Sequence, residues 1–224
     1  MLKFVVAALS ILLIVNSSSR ISYAQKPGGI LKIYSPDSPA NMSMLEAPAL
    51  GSEMPLMGVF NNLIVFDQHV PQVSLQSIIP DLATSWSWSE DGTELAFTLR
   101  QGVKWHDGQP FTAQDVKCTW DLLTDKAPEK LRLNPRQSSY DNLAAVTAER
   151  DYAVTFHLKR AQPAFPMLLA SGFAALTPCH VSPAQMRQHP IGTGPFKFVE
   201  FKPNERITLT RNPDYWKKGN DARR

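Results

Sequence analysis

Apolar and polar positions alternate with a period of two in several stretches of this chain, and this alternation predicts β-strands. The clearest stretch is ELAFTLR at residues 94–100, where three large apolar side chains alternate with smaller or polar ones. The turn sequence SEDG precedes it, so we predict a hairpin with the segment that carries Trp86 and Trp88. We predict further strands at Ile30–Tyr34, at residues 152–158, and in two segments of residues 194–212 around a turn at 202–205.

Apolar residues that recur every three or four positions predict helices elsewhere in the chain. Residues 163–176, PAFPMLLASGFAAL, form a continuous apolar segment that predicts a short helix. A buried helix face is predicted from the i, i+3, i+4, i+7 spacing of Leu56, Val59, Phe60 and Leu63.

The helix predicted after residue 112 has the most explicit start signal. Thr112 fits the N-cap position, and Asp115 three residues later completes an acidic variant of the capping box. Phe111 before the cap and Val116 inside the helix fit a hydrophobic staple. The apolar face that follows consists of Val116, Trp120 and Leu123.

The first 24 residues have the pattern of an export signal. Lys3 gives a short basic start, residues 4–15 are apolar, and the small residues Ser22 and Ala24 fit a cleavage site before Gln25. The apolar run is shorter than the roughly 20 residues that span a bilayer. We therefore predict a cleaved signal peptide, with an uncleaved membrane anchor as the alternative.

Composition and charge make nucleic acid an unsuitable partner. The chain is 43% hydrophobic and 19% charged, as in ordinary globular proteins. Its net charge is +3, and removal of Lys3 and Arg20 with the signal peptide leaves +1. Since no cluster of basic residues occurs before the last few positions, we predict no nucleic-acid partner.

Cys118 and Cys179 are the two cysteines of the chain. Export to an oxidising compartment would allow a single disulfide between them. Two unpaired buried thiols are the alternative, because the sequence does not show that the two positions lie close together.

Motifs that would indicate an enzyme, a cofactor or a metal do not occur in the sequence. There is no Gly-x-Ser-x-Gly elbow, and the GTG at residues 192–194 precedes Pro195 and a strand, which is the wrong context for a phosphate loop. Cys179 and His180 are adjacent, so on a strand they would point to opposite faces. His106 and Asp107 lie in a Gly-bounded turn before the Thr112 helix, which favours a structural role over a catalytic one. We predict no cofactor, no metal and no enzymatic activity.

Four segments in order resemble one known family. They are LATSWSWSEDGTELAFTLRQGVKWHDGQPFTAQDV, VTAERDYAVTFHLKRAQPAFPMLLA, IGTGPFKFVEF and ITLTRNPDYW. Together they resemble the family 5 extracellular solute-binding proteins, the peptide-, nickel- and opine-type receptors of ABC importers. The resemblance runs from about Gly28 to Trp216.

The resemblance implies a mixed α/β (α+β) fold, namely the first lobe of a periplasmic-binding-protein-like clamp with its extra subdomain. The implied divisions are a signal peptide at 1–24, lobe I core at 25–50, the subdomain at 51–185 and a return segment of the core at 186–224. Family members are more than twice as long, and this chain ends in KKGNDARR. We therefore expect that the second lobe is missing and that the chain is a truncated copy with weak or no solute binding.

Ligand-contacting positions follow only loosely from the resemblance. They fall at the segment after the first strand, at the subdomain connector and beside the hinge, and for each the alternative is a solvated loop residue or a plain turn. The positions are Glu46, Ala47, Pro48, Ala49, Leu50, Tyr140, Thr193 and Gly194.

The function that the resemblance implies is capture of a small solute in the periplasm and its delivery to an ABC permease in the inner membrane. The solute would be peptide-like, an opine or a metal chelate. One alternative is a stand-alone lobe I module that docks to a permease or sensor protein. A periplasmic hydrolase is the second alternative.

Overall fold

The computed structural model describes residues 28–47 and 53–217. The chain divides into two units, residues 1–34 and residues 35–224. The predicted signal peptide lies outside the described residues. In the described part of the first unit, residues 28–34 carry no strand, so the strand predicted at Ile30–Tyr34 is wrong. Ile30 is 89% exposed, and an extended segment without a hydrogen-bonded neighbour has nothing to hold it in a ladder.

The described part of the second unit consists of short strands and three helices. Among residues 28–47 and 53–217, no helix is long and apolar enough to cross a membrane. In chain order, the elements are β1 Ile64–Phe66, β2 Ile78–Pro80, β3 Ala83–Trp88, β4 Glu94–Leu99, α1 Ala113–Leu123, β5 Leu143–Arg150, β6 Ala153–Leu158, α2 Phe165–Ala170, α3 Pro183–Met186, β7 Phe196–Lys202 and β8 Arg206–Arg211.

An antiparallel four-stranded sheet with the order β3-β4-β6-β5 is the centre of the unit. The predicted hairpin is confirmed as β3 and β4, in which Trp86 pairs with Phe97. The strand predicted at 152–158 is confirmed as β6. Sequence reasoning missed β5, because bulges interrupt its register near Leu143 and Arg150 and so break the period-two pattern.

The main core lies between one face of this sheet and helices α1 and α2. Phe156 on β6 is fully buried, and the aromatic rings of Phe97, Trp120 and Phe165 surround it. The predicted start of α1 is confirmed: the backbone N–H of Thr112 donates to Asp115 Oδ2 at 2.9 Å. The predicted apolar helix at 163–176 is confirmed in its first half as α2.

The helix predicted over Leu56–Leu63 is wrong, although all four apolar residues of its predicted face are buried. A 3₁₀ turn at Met54–Leu56 is followed by irregular chain and β1. Backbone N–H groups from distant parts of the chain donate to carbonyls that would accept the hydrogen bonds of a helix. Gly58 O accepts from Phe196 N at 3.0 Å, and Val59 O accepts from Gly194 N at 2.9 Å.

A second, smaller core lies beneath the β7–β8 hairpin, which the sequence also predicted. Phe198 from β7 packs there with Met42, Met44 and Leu56. The turn between the strands places Asn204 at φ 59°, a conformation that asparagine tolerates. The division of the chain into lobe core and subdomain remains a prediction.

Cys118 and Cys179 form a disulfide in the structure, with their Cα atoms 5.5 Å apart. Cys118 lies on α1, and Cys179 lies in the loop before α3. The backbone N–H of Cys179 also donates to Asp115 Oδ1 at 2.9 Å, so α1 holds this loop at two positions, Asp115 and Cys118.

Candidate functional site

Glu46 lies at the end of a 3₁₀ helix, Met44–Glu46, and its side chain is buried. Arg187 Nη1 approaches Glu46 Oε1 at 2.9 Å, and the backbone N–H of Arg132 donates to the same oxygen at 3.0 Å. Since a buried carboxylate is stable only when it is paired and hydrogen-bonded, these contacts hold the segment at 44–47 against two distant parts of the chain.

Arg136 connects the neighbouring residues into one polar group. Its Nη1 donates to the carbonyl of Ala47 at 2.6 Å. Its guanidinium carbon lies 3.4 Å from the centroid of the Phe173 ring, a cation–π contact. Glu46, Ala47 and Arg136 therefore lie together, whereas Pro48, Ala49 and Leu50 are outside the described residues.

Tyr140 is a core residue in this structure. It is 3% exposed, and the Trp120 ring meets it edge-on with the centroids 4.6 Å apart. Burial raises the pKa of the Tyr140 hydroxyl to about 12. The Tyr140 side chain therefore belongs to the core and does not form an open contact surface.

Glu53 is a polar residue of this group that sequence reasoning missed. Its side chain is fully buried, and neither carboxylate oxygen has a hydrogen-bond partner among the described residues. Burial raises the pKa of Glu53, while the charge of Arg136 opposes that rise. A Cβ at Gly172 would collide with Glu53 Oε1, so a substitution there would displace the Glu53 side chain. The sequence signal that could have identified Glu53 is the presence of an acidic residue within the apolar stretch 50–60.

Thr193 belongs to a second polar group. Its hydroxyl donates to Asn61 Oδ1 at 3.0 Å, and Asn61 Nδ2 donates to Asp81 Oδ2 at 3.0 Å. The backbone N–H of Asn62 donates to the same Asp81 oxygen at 3.1 Å. Burial raises the pKa of Asp81, and the hydrogen bond from Asn61 opposes this shift. These side chains bond to one another and join the residues before β1 to Thr193.

Gly194, next to Thr193, packs directly against the backbone of Gly58 and Val59. A Cβ there would overlap the backbone of Gly58 and Val59, so only glycine fits. Its carbonyl accepts from Asn212 Nδ2 at 3.0 Å. It also accepts from His106 Nε2 at 3.0 Å, which links it to the turn at residues 102–116.

His106 and Asp107 make separate contacts. His106 uses both ring nitrogens on the segment 192–194, because Gly192 N also donates to His106 Nδ1 at 3.3 Å. Asp107 Oδ2 lies 2.6 Å from His180 Nε2. These contacts join three loops, which fits the structural interpretation of the pair.

The structure thus brings Glu46 and Ala47 together with Arg136, and it places Thr193 and Gly194 in a different group. Within residues 28–47 and 53–217 there is no cluster of three or more His, Cys, Asp or Glu that could hold a metal ion. Cys179 is bonded to Cys118, so it cannot act as a thiolate ligand beside His180. The first group contains two buried carboxyl side chains, an arginine and an aromatic ring.

The fold is similar to that of solved periplasmic binding proteins. The dipeptide-binding protein of Pseudoalteromonas sp. SM9913, solved with Met-Leu, matches with a TM-score of 0.71 and 25% identity over 81% of this chain and 39% of that chain. The oligopeptide-binding protein AppA of Bacillus subtilis, solved with a nonapeptide, matches with a TM-score of 0.67 and 29% identity. That match covers 80% of this chain and 35% of the other.

Residues 77–223 match the family model described as bacterial extracellular solute-binding proteins, family 5 middle. The chain belongs to this family. Di/tripeptide-binding protein 1 of Pseudomonas aeruginosa (strain UCBPP-PA14) is 31% identical over 180 residues, which cover 71% of this chain and 33% of that protein. The chain therefore spans about a third of the length of this relative.

Proposed function

We propose that this chain forms part of the substrate-binding component of an ABC importer that captures a peptide-like solute in the periplasm and delivers it to an inner-membrane permease. A cleaved signal peptide at residues 1–24 would bring it there. Membership of the family and the relatives that bind peptides support this proposal.

The observation that carries the proposal is the polar group at Glu46, Ala47, Glu53 and Arg136. Arg136 is only partly buried, and it still has N–H groups that could bind a carboxylate of a solute. Glu53 lacks a hydrogen-bond partner among the described residues, but its side chain is fully buried, so we assign it no contact with the solute. A peptide carries at its C-terminus the carboxylate that Arg136 would bind.

We expect the chain alone to bind such a solute weakly. High affinity for a small molecule requires burial of most of its surface. Two grooves on the described residues, of about 210 and 500 Å³, are open to solvent, and neither is lined by Glu53 or Arg136. For the same reason, we expect an opine or a metal chelate to bind this chain with low affinity.

A nuclear magnetic resonance titration of the ¹⁵N-labelled chain with a dipeptide such as Met-Leu tests both statements. We expect saturable shift changes at the amides of Glu46, Ala47 and Arg136, with a dissociation constant of roughly millimolar size. Parallel calorimetry that gave micromolar affinity would refute the weak-binding expectation. If shift changes were absent, or occurred only at other surfaces, the proposed site would be refuted.

The variants Arg136→Gln and Arg206→Gln form a matched pair for this titration. Arg206 is an exposed arginine on β8 that pairs with Glu200 and Glu205. We expect Arg136→Gln to abolish the shift changes and Arg206→Gln to preserve them. An equal response of the two variants would mean that general charge, and not this site, attracts the dipeptide.

A further inference from the structure

A threonine, a histidine and a glutamate form a hydrogen-bonded chain on the face of the sheet opposite α1. Thr147 Oγ1 lies 2.9 Å from His157 Nε2, and His157 Nδ1 lies 3.2 Å from Glu94 Oε1. The three residues come from the adjacent strands β5, β6 and β4. None of them belongs to either polar group described above.

The donors and acceptors in this chain have one consistent direction when the imidazole is neutral. An ionised carboxylate only accepts hydrogen bonds, so His157 Nδ1 carries the proton and donates to Glu94. His157 Nε2 is then the unprotonated nitrogen and must accept from the Thr147 hydroxyl. This is the polarity of a nucleophile, a general base and an orienting carboxylate.

The rigid sheet holds these groups in place and leaves them accessible. Glu94 is directly opposite His157 in the β4–β6 ladder, and Thr147 is the diagonal neighbour of His157 on β5. The side chains of His157 and Glu94 are 31% and 53% exposed, and Thr147 is exposed. A small reagent can therefore reach the hydroxyl.

A shallow groove of about 210 Å³ continues along the same face. Its lining includes Ser87, Ala96, Thr98 and Thr155, and Thr155 pairs with Thr147 across the β5–β6 ladder. Three of these four side chains carry hydroxyl groups, and the charged residue in the lining is Glu149. The groove therefore suits a short, uncharged acyl group better than a large or anionic one.

We propose that Thr147 is a nucleophilic acylation site for small carboxylic esters, with His157 as its general base and Glu94 as the positioning residue. Thr147 Oγ attacks the ester carbonyl carbon, and its proton passes to His157 Nε2. The bond from the carbonyl carbon to the leaving alkoxide oxygen then breaks. That oxygen takes the proton from His157, and the products are the Thr147 ester and the free alcohol. This proposal is independent of the solute-binding function.

Reaction of the full chain with p-nitrophenyl acetate tests the proposal. We expect release of about one equivalent of p-nitrophenol per chain and an acetyl group located on Thr147 by tandem mass spectrometry. General-base activation contributes about 10²–10⁴-fold in rate, so Thr147→Val and His157→Gln should each slow the reaction by roughly a hundred-fold. Glu94→Gln should slow it less, since it leaves the base in place.

Thr210→Val is the matched control, because Thr210 is an exposed threonine on strand β8, outside the sheet that carries Thr147 and the groove. It should react as fast as the unmodified chain. Circular dichroism would verify that each variant is folded. Acetylation found only on lysine or on His157, or equal rates for all variants, would overturn the assignment of Thr147.

Discussion

At the scale of single residues, His106 is a neutral histidine that joins two segments of the chain. Gly192 N donates to Nδ1, so that nitrogen cannot carry a proton in this geometry, whereas Nε2 donates to the carbonyl of Gly194. Burial lowers the pKa of His106, and the charge of Lys197 acts in the same direction, against Asp107. A proton on Nδ1 would break the bond to Gly192.

The pH dependence of stability follows from this shift. Because the folded chain binds the proton less tightly than the unfolded chain, the His106 contribution is fully present above the unfolded pKa of about 6.5. It is lost as the pH falls towards the lower folded pKa. We expect the unfolding free energy of the unmodified chain to fall more steeply between about pH 7.5 and pH 5 than that of His106→Gln. Urea denaturation at several pH values measures this, and parallel profiles would contradict it.

At the scale of elements, the disulfide links the middle of α1 to the loop before α3. Its two cysteines are 61 residues apart in sequence, so the bond restricts a long loop of the unfolded chain. A bond of this kind stabilises by about 2–4 kcal/mol. We expect the double variant Cys118→Ala/Cys179→Ala to lose about this much unfolding free energy in urea.

Reducing agent provides the control for this prediction. Dithiothreitol should destabilise the unmodified chain and leave the double variant unchanged. If dithiothreitol had no effect on the unmodified chain, the bond would either not form in solution or not contribute to stability.

Local signals were sufficient to predict some elements and insufficient for others. The hairpin of β3 and β4 and the Thr112 cap were predictable, because turn and cap residues act over a few positions. The segment 56–63 has helical spacing, but the carbonyls of Gly58 and Val59 accept from residues more than a hundred positions away. The bulges of β5 likewise depend on its pairing with β6.

The candidate site was less predictable than the fold for the same reason. Sequence reasoning placed Glu46, Tyr140 and Thr193 in one expected ligand-contacting set. In the structure Tyr140 is buried against Trp120, and Thr193 bonds to Asn61. Glu53 and Arg136 meet only through tertiary packing, and no spacing rule connects two residues so far apart.

At the scale of the whole molecule, the two cores of residues 35–217 differ in size and in cover. The main core contains the four-stranded sheet with α1 and α2 on one face. The second core supports a two-stranded ribbon, β7–β8, on which Phe196 and Val199 remain 43% and 50% exposed. An isolated two-stranded ribbon is marginally stable. The stability of β7–β8 therefore depends on a few apolar contacts and on the close packing of Gly194 against Gly58 and Val59.

We therefore expect the molecule to open locally at β7–β8 before it unfolds globally. Native-state hydrogen exchange should show that amides of β7 and β8 exchange through low-energy openings, while amides of β4 and β6 exchange only at the free energy of global unfolding. Phe156→Ala should lower the global value by about 3–5 kcal/mol, because it empties the main core. Phe198→Ala should instead act chiefly on the β7–β8 openings. Equal exchange free energies for both sheets would show that the two cores unfold as one cooperative unit.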